Sequence, residues 1–264
     1  MADFVDNIRS AVSDRAELPG MSLMEHLSEL RKRLIRSVAY LCVGFVVAYA
    51  FHERLYGIVK APLDKLGIPL NYTHPTDALN LYIKTALYGG FILASPFILY
   101  QLWLFISPGM YSNEKRYVLP FMGTTVLLFF GGAWFGYHYV FPGALDILIN
   151  NFGKDFHAVL TIDDYTGFFL AIVVGLGVTF ELPIVMFFLA LFGIVDGKFL
   201  IRHIRYAILI IFIIAGIICP TPDPLSMCIF AAPMLVLYMI GVAAAFIVHP
   251  ARRKARKDRK AKAA

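Results

Sequence analysis

The sequence predicts an all-α polytopic membrane protein, with six transmembrane helices in a kinked, cupped bundle and both termini in the cytoplasm (N-in/C-in). Three observations predict it. Apolar residues make up 59% of the 264 positions and charged residues only 16%, against roughly 25% charged in an average soluble domain. A soluble fold of this length cannot hide so much apolar surface from water, whereas lipid can surround it. The apolar residues also gather into runs close to the roughly 20 residues that a span needs. Finally, lysine and arginine are concentrated on alternate loops.

The spans are read in order at 34–51, 80–106, 117–140, 165–192, 204–219 and 225–248. Before the first, Ser22-Leu23-Met24-Glu25 fits a capping box, and Leu23, Leu27, Leu30 and Leu34 recur at helical spacing. This predicts an amphipathic helix that runs into the first span. Pro108, Pro142 and Pro220 stand just past span ends, while Pro96, Pro183 and Pro233 stand inside spans and should bend them. The fifth run has 16 residues, about 24 Å of helix against a hydrocarbon core of roughly 30 Å. The last hairpin therefore thins the bilayer or sits shallowly in it, with a re-entrant pair as the competing reading.

Orientation follows from the cationic loops. Nineteen lysines and arginines lie in the N-terminal segment, the 107–116 and 193–205 loops and the tail after Ala251, whereas the opposite loops hold four, Arg54, Lys60, Lys65 and Lys154. That asymmetry places both termini inside. The chain divides into an N-terminal cytoplasmic segment (1–20), a transmembrane domain (21–250) and a polybasic tail (251–264). The tail sets topology and attracts anionic lipid. No nucleic-acid partner is expected so close to the membrane. The first 33 residues are polar, so the first apolar run reads as a retained span and not as a cleavable signal.

Several chemistries are disfavoured. Cys42, Cys219 and Cys228 form no CxxC pair, and the seven histidines do not cluster. No metal ligands, cofactor motif, nucleophile–base pair or phosphate loop is evident, so the chain is not read as an enzyme.

Three carboxylates stand out. Glu29 has Arg33 one helical turn on, a favourable pair worth roughly 0.2–0.5 kcal/mol. Glu114 follows the Ser107-Pro108-Gly109 turn at a helix start, where the helix dipole favours an acid. It is also placed at the membrane surface, where a guanidinium could be held bidentately. Glu181 lies in Phe180-Glu181-Leu182-Pro183, well inside the fourth span. A charged carboxylate there costs a few kcal/mol, so the residue is either protonated or faces a polar cavity. Asp223, between Pro222 and Pro224, makes a rigid polar turn, and Asp163 and Asp164 cap the fourth span.

At these residues the sequence strongly resembles the TatC family, the multispanning core of the twin-arginine protein translocase. His26-Leu27-Ser28-Glu29-Leu30-Arg31-Lys32-Arg33-Leu34 is similar to its HLxELRxRL signature. Pro96 through Phe105 resembles its PxxxYQxWxF signature. Pro108-Gly109-Met110-Tyr111 with Glu114 follows, with Met where Leu is common in the family. Phe180-Glu181-Leu182-Pro183 and Thr221-Pro222-Asp223 complete the likeness, which runs from about 20 to 245.

The resemblance implies a signal-peptide receptor in a translocase that exports folded proteins, driven by the proton-motive force with no nucleotide or cofactor. It implies that Glu29 and Glu114 contact the paired arginines, with Arg31 and Phe105 in the same region. Glu181 would serve an intramembrane polar patch used by the signal peptide or by the single-span partners TatA and TatB. Pro62 and Asp223 would belong to an outer cap that controls assembly. The implied setting is the bacterial inner membrane, with self-association in a larger complex. The competing function is a proton-coupled secondary transporter with Glu181 as carrier, which the absence of repeat symmetry disfavours.

Overall fold

A computed structural model describes residues 23–106, 118–153, 159–191, 195–218 and 224–263. It is nearly all helical. Helix α1 (Leu23–Ala50) is a single helix of 28 residues, so the amphipathic start and the first apolar run are one rod. It packs along most of α3 (Asp77–Ile106), antiparallel to it. Two glycines set the closeness of that crossing. A Cβ on Gly44 would lie 2.5 Å from the Gly90 carbonyl oxygen, and one on Gly90 would lie 2.5 Å from the Phe45 nitrogen. With no hydrophobic force between helices in lipid, backbone contact of this kind supplies the packing.

Between them lies α2 (His52–Asp64), which buries Val59, Pro62 and Leu63. The sequence pattern puts these residues in an outer loop, because 13 residues of mixed polarity are too short and too polar for a span. Pro62 lacks an N–H, so it leaves the Ile58 carbonyl without its helical donor. The Tyr137 hydroxyl donates to that oxygen at 3.2 Å. The Tyr165 hydroxyl donates to the next carbonyl, Val59, at 2.7 Å. After the left-handed turn at Gly67, β1 (Leu70–Asn71) pairs in parallel with β2 (Leu160–Thr161). Two-residue strands carry no sequence period, and the all-helical reading does not include them.

Helix α4 (Val118–Phe135) continues as a π-helical turn over Gly136–Val140, as α5 (Phe141–Asp146) and as a second π-helical turn over Ile147–Phe152. Pro142 therefore does not end this helix, as the sequence pattern suggests it should. It follows the π-helical turn, in which the Phe141 N–H donates to the Gly136 carbonyl, so the bonding register changes just ahead of the proline. Helix α6 (Ile162–Thr179) is N-capped by Thr161, whose hydroxyl oxygen accepts from the Asp164 N–H at 3.2 Å. Asp163 is not a cap. It bridges to Lys84 of α3 at 2.6 Å.

The fourth apolar run breaks at Phe180-Glu181 and resumes as α7 (Leu182–Leu191). Pro183 thus interrupts the helix instead of merely bending it. Helix α8 (Gly197–Arg202) is capped by Asp196, which accepts from the Phe199 N–H at 2.6 Å. Helix α9 (Ile204–Ile218) has 15 residues. Helix α10 (Pro224–Ala263) packs on α7 and runs on through the basic tail.

The core is aromatic and lies where α6 meets the π-helical path, α2 and α10. Phe141, Ile172, Phe230 and Leu63 are essentially fully buried in it. Among the described residues, four helical stretches, Met24–Ala50, Asp77–Phe105, Ile162–Leu191 and Met227–Ile247, are long and apolar enough to cross a membrane. The expected third and fifth spans fall on α4 and α9, and the apolar stretch of α9, Ile204–Ile217, is shorter. Exposed Leu34, Ile35, Val38, Val43 and Val46 give α1 an apolar outer face, suited to lipid.

Candidate functional site

The start of α1 and the end of α3 form a polar junction at one end of the bundle. The i,i+4 spacing brings Arg33 within 3.1 Å of Glu29 Oε1. The second guanidinium nitrogen of Arg33 donates to Oε1 of Gln101 on α3, also at 3.1 Å. Gln101 is buried, at 3% exposure. The carboxylate is thus held from one side by a cation that a neighbouring helix holds in turn. Glu29 Oε2 is shielded from solvent yet has no hydrogen-bond partner among the described residues. A buried carboxylate oxygen without a donor is costly, which makes this atom a candidate acceptor for a donor outside the described residues.

One turn before Glu29, the His26 ring stacks on Phe105 with centroids 4.5 Å apart. Behind the junction, Trp103 donates from its indole to Thr125 at 3.1 Å and meets Phe188 edge-on at 4.2 Å. These contacts tie α3 to α4 and α7 and leave little freedom to the end of α3.

Of the residues singled out in the sequence, Glu29 and Phe105 reach the same junction, Phe105 through its stack on His26 one turn before Glu29. Arg31 is exposed, and no contact joins it to Glu29 among the described residues. Glu114 and Asp223 lie outside the described residues, as does Ser22 of the capping box. Sequence reading misses Gln101 and His26 as individual site members. Gln101 has a usable signal, being the only glutamine in the chain and set in an apolar run.

Glu181 stands at the break between α6 and α7. Its N–H donates to the Val178 carbonyl at 3.1 Å, and its own carbonyl accepts from Ile184 and Val185 at 3.1 and 3.0 Å. The side-chain Oε1 is buried without a partner among the described residues. Glu29 and Glu181 therefore share a property: each presents a shielded oxygen that no described donor satisfies.

At the opposite end of the bundle, Pro62 helps line a cavity with Tyr137, Pro142 and Leu145. Nearby, Lys60 pairs with Asp64 at 3.2 Å. The hydrogen bond and charge of Asp64 hold the Lys60 ammonium above its ordinary range. Among the described residues no group of histidine, cysteine and acid side chains could hold a metal ion.

Comparison with known proteins gives one consistent answer. A family model described as "Sec-independent protein translocase protein (TatC)" matches residues 25–233. A TatC protein of Koribacter versatilis is 49% identical over 257 residues, covering 95% of this chain and 94% of its own length. One from Campylobacter jejuni is 39% identical over 241 residues, covering 89% and 98%. A crystal structure of a twin-arginine translocase receptor, TatC, superposes with a TM-score of 0.78 at 39% identity, covering 84% of this chain and 98% of that one.

Proposed function

This chain belongs to the TatC family of Sec-independent protein translocase proteins, and from that premise we propose that it is the signal-peptide receptor of its translocase. It is a multi-pass membrane protein of protein transport. In the proposed arrangement six spans cross the bacterial inner membrane with both termini inside, and residues 21–250 form the one transmembrane domain. Glu29 and Glu114 take the paired arginines of the signal peptide at the cytoplasmic surface, beside Arg31 and Phe105. Two guanidinium groups do not sit cheaply in hydrocarbon, so a surface pair of carboxylates is a suitable receptor.

The observation that carries the reading is the shielded Oε2 of Glu29, unpartnered among the described residues, beside a carboxylate oxygen already fixed by Arg33. An incoming guanidinium supplies the missing donor. Glu181 provides a second polar point inside the membrane for the signal peptide or for TatA and TatB. Pro62 and Asp223 belong to the outer cap that governs assembly. The proton-motive force, and no catalytic residue of this chain, drives transport. The test is photo-cross-linking from positions 29 and 114 to a twin-arginine peptide. A strong adduct with the twin-arginine peptide and a weak one with a twin-lysine control is expected. Equal adducts from both peptides would remove the receptor reading.

A further inference from the structure

The cavity at the far end of the bundle from Glu29 has a volume of about 410 Å³, within the roughly 300–1,000 Å³ of small-ligand sites. Its base is apolar, with Pro62 and Leu145 buried, and its rim carries Lys65, His138 and Asp146. The two walls, α2 and the π-helical turn over Gly136–Val140, are tied by the bond from the Tyr137 hydroxyl to the Ile58 carbonyl.

The rim offers one cation and two acceptors. Lys65 has no ion-pair partner among the described residues, unlike Lys60, which is taken by Asp64. Asp146 accepts from the Asn150 amide at Oδ1, at 2.6 Å, and among the described residues its Oδ2 has no hydrogen-bond donor. His138 must donate through Nδ1 to the Trp134 carbonyl at 3.2 Å, because a carbonyl only accepts. In the neutral ring its Nε2 is then an acceptor. Aromatic side chains stand beside the opening. Trp134 and Tyr139 are 54% and 59% exposed, and Trp134 lies against the His138 ring at 4.8 Å. Exposed Trp and Tyr side by side suit the depth of lipid headgroups.

We propose that this cavity binds the headgroup of phosphatidylethanolamine, with the phosphate on Lys65 and the primary ammonium on Asp146 Oδ2 and His138 Nε2. The glycerol headgroup of phosphatidylglycerol offers hydroxyl donors to the two acceptors but no cation to offset the charge of Asp146. A choline headgroup carries three methyl groups in place of the N–H donors. Of these three headgroups, ethanolamine alone brings both a phosphate for Lys65 and a donating cation for Asp146. The inference does not rest on the receptor reading, and its test uses no signal peptide.

The full chain in detergent is titrated with dihexanoyl phosphatidylethanolamine, phosphatidylcholine and phosphatidylglycerol, and with inorganic phosphate. Binding is read from tryptophan fluorescence, with Trp134 lying 4.8 Å from the rim residue His138 and Trp103 buried. The expected result is saturable binding of the ethanolamine lipid, at least about fivefold tighter than either other lipid, since neither brings a donating cation to the Asp146 carboxylate. Lys65→Ala and Asp146→Asn should each weaken it about fivefold, with Lys198→Ala unchanged as the control. Equal affinity for the three lipids overturns the proposal, as does wild-type affinity in either rim variant, or a full response to phosphate alone. Should a variant fail to fold, the comparison of lipids on the unmodified chain decides by itself.

Discussion

Replacing Gly90 with alanine tests whether backbone contact between α1 and α3 holds the candidate site together. The new Cβ would stand 2.5 Å from the Phe45 nitrogen, and 2.7 Å from both the Gly44 carbonyl carbon and the Phe45 Cα. All three are backbone atoms, so no side chain can swing aside and the helices must separate. Overpacking costs roughly 1–3 kcal/mol, and with backbone as the obstacle the upper value, about 3 kcal/mol, applies. At roughly 2–4 °C per kcal/mol for a chain near this size, the melting temperature should fall by about 6–12 °C. The control is Gly123→Ala on α4, where a Cβ would meet nothing within 4 Å. It should be neutral, or stabilising by about 0.5–1 kcal/mol from the better helix propensity of alanine. Thermal unfolding of both variants in one detergent is the assay. The Arg33–Gln101 bond spans the same helix pair, so Gly90→Ala should also weaken twin-arginine peptide binding while Gly123→Ala leaves it intact. If Gly90→Ala melts with the unmodified protein, the crossing is not set by these glycines and the reasoning fails.

Three further outcomes are expected. Gln101→Leu removes the acceptor that orients Arg33 and should lower peptide affinity roughly tenfold, the loss of one charged hydrogen bond, while Gln101→Glu restores it. Unchanged affinity in a folded Gln101→Leu protein would deny Gln101 a positioning role. Tyr165→Phe deletes the donor to Val59 and should cost about 1 kcal/mol, because the Val59 carbonyl keeps its helical partner; a much larger loss of thermal stability would show that more than this bond is involved. The 15-residue α9 reaches only about 22 Å, so the bilayer beside it should thin, and scattering or depth-resolved spin labels in nanodiscs that report uniform thickness there would refute this.

The sequence makes the membrane class legible, because apolar runs of span length need no tertiary context. It also makes the Glu29–Arg33 pair legible, since four-residue spacing on a helix is local. Gln101 is not assigned to that pair from sequence, because it is 68 residues away and reaches Arg33 only through the Gly44–Gly90 crossing. The π-helical turns after Phe135 are likewise hidden. Pro142 looks like a helix stop to any local rule, and only the packing of α4, α5 and α6 shows the path continuing. Pro183 is legible as a disturbance, but whether proline bends or breaks a helix depends on which neighbour satisfies the freed carbonyl.

That dependence can be measured at Pro96. Proline at 96 leaves the Ile92 carbonyl without its i+4 donor, in the middle of a helix apolar enough to cross the membrane. Water is scarce at that depth, and each unsatisfied backbone group is costly. The structure supplies a substitute: the Ser95 hydroxyl donates to the Ile92 oxygen at 2.7 Å, from a side chain only 2% exposed. Ser95 and Pro96 therefore act as a unit, and α3 continues unbroken to Ile106. Ser95→Ala alone should destabilise by about 1–3 kcal/mol, the cost of orphaning a buried acceptor. In a Pro96→Ala background the backbone N–H restored at that position can reach the same oxygen, and Ser95→Ala should then cost no more than a few tenths of a kcal/mol. The coupling energy from the four proteins, measured by denaturation in one detergent, should thus exceed about 1 kcal/mol. Additive effects would mean that the hydroxyl does not replace the missing donor, and that the continuity of α3 through Pro96 has another cause.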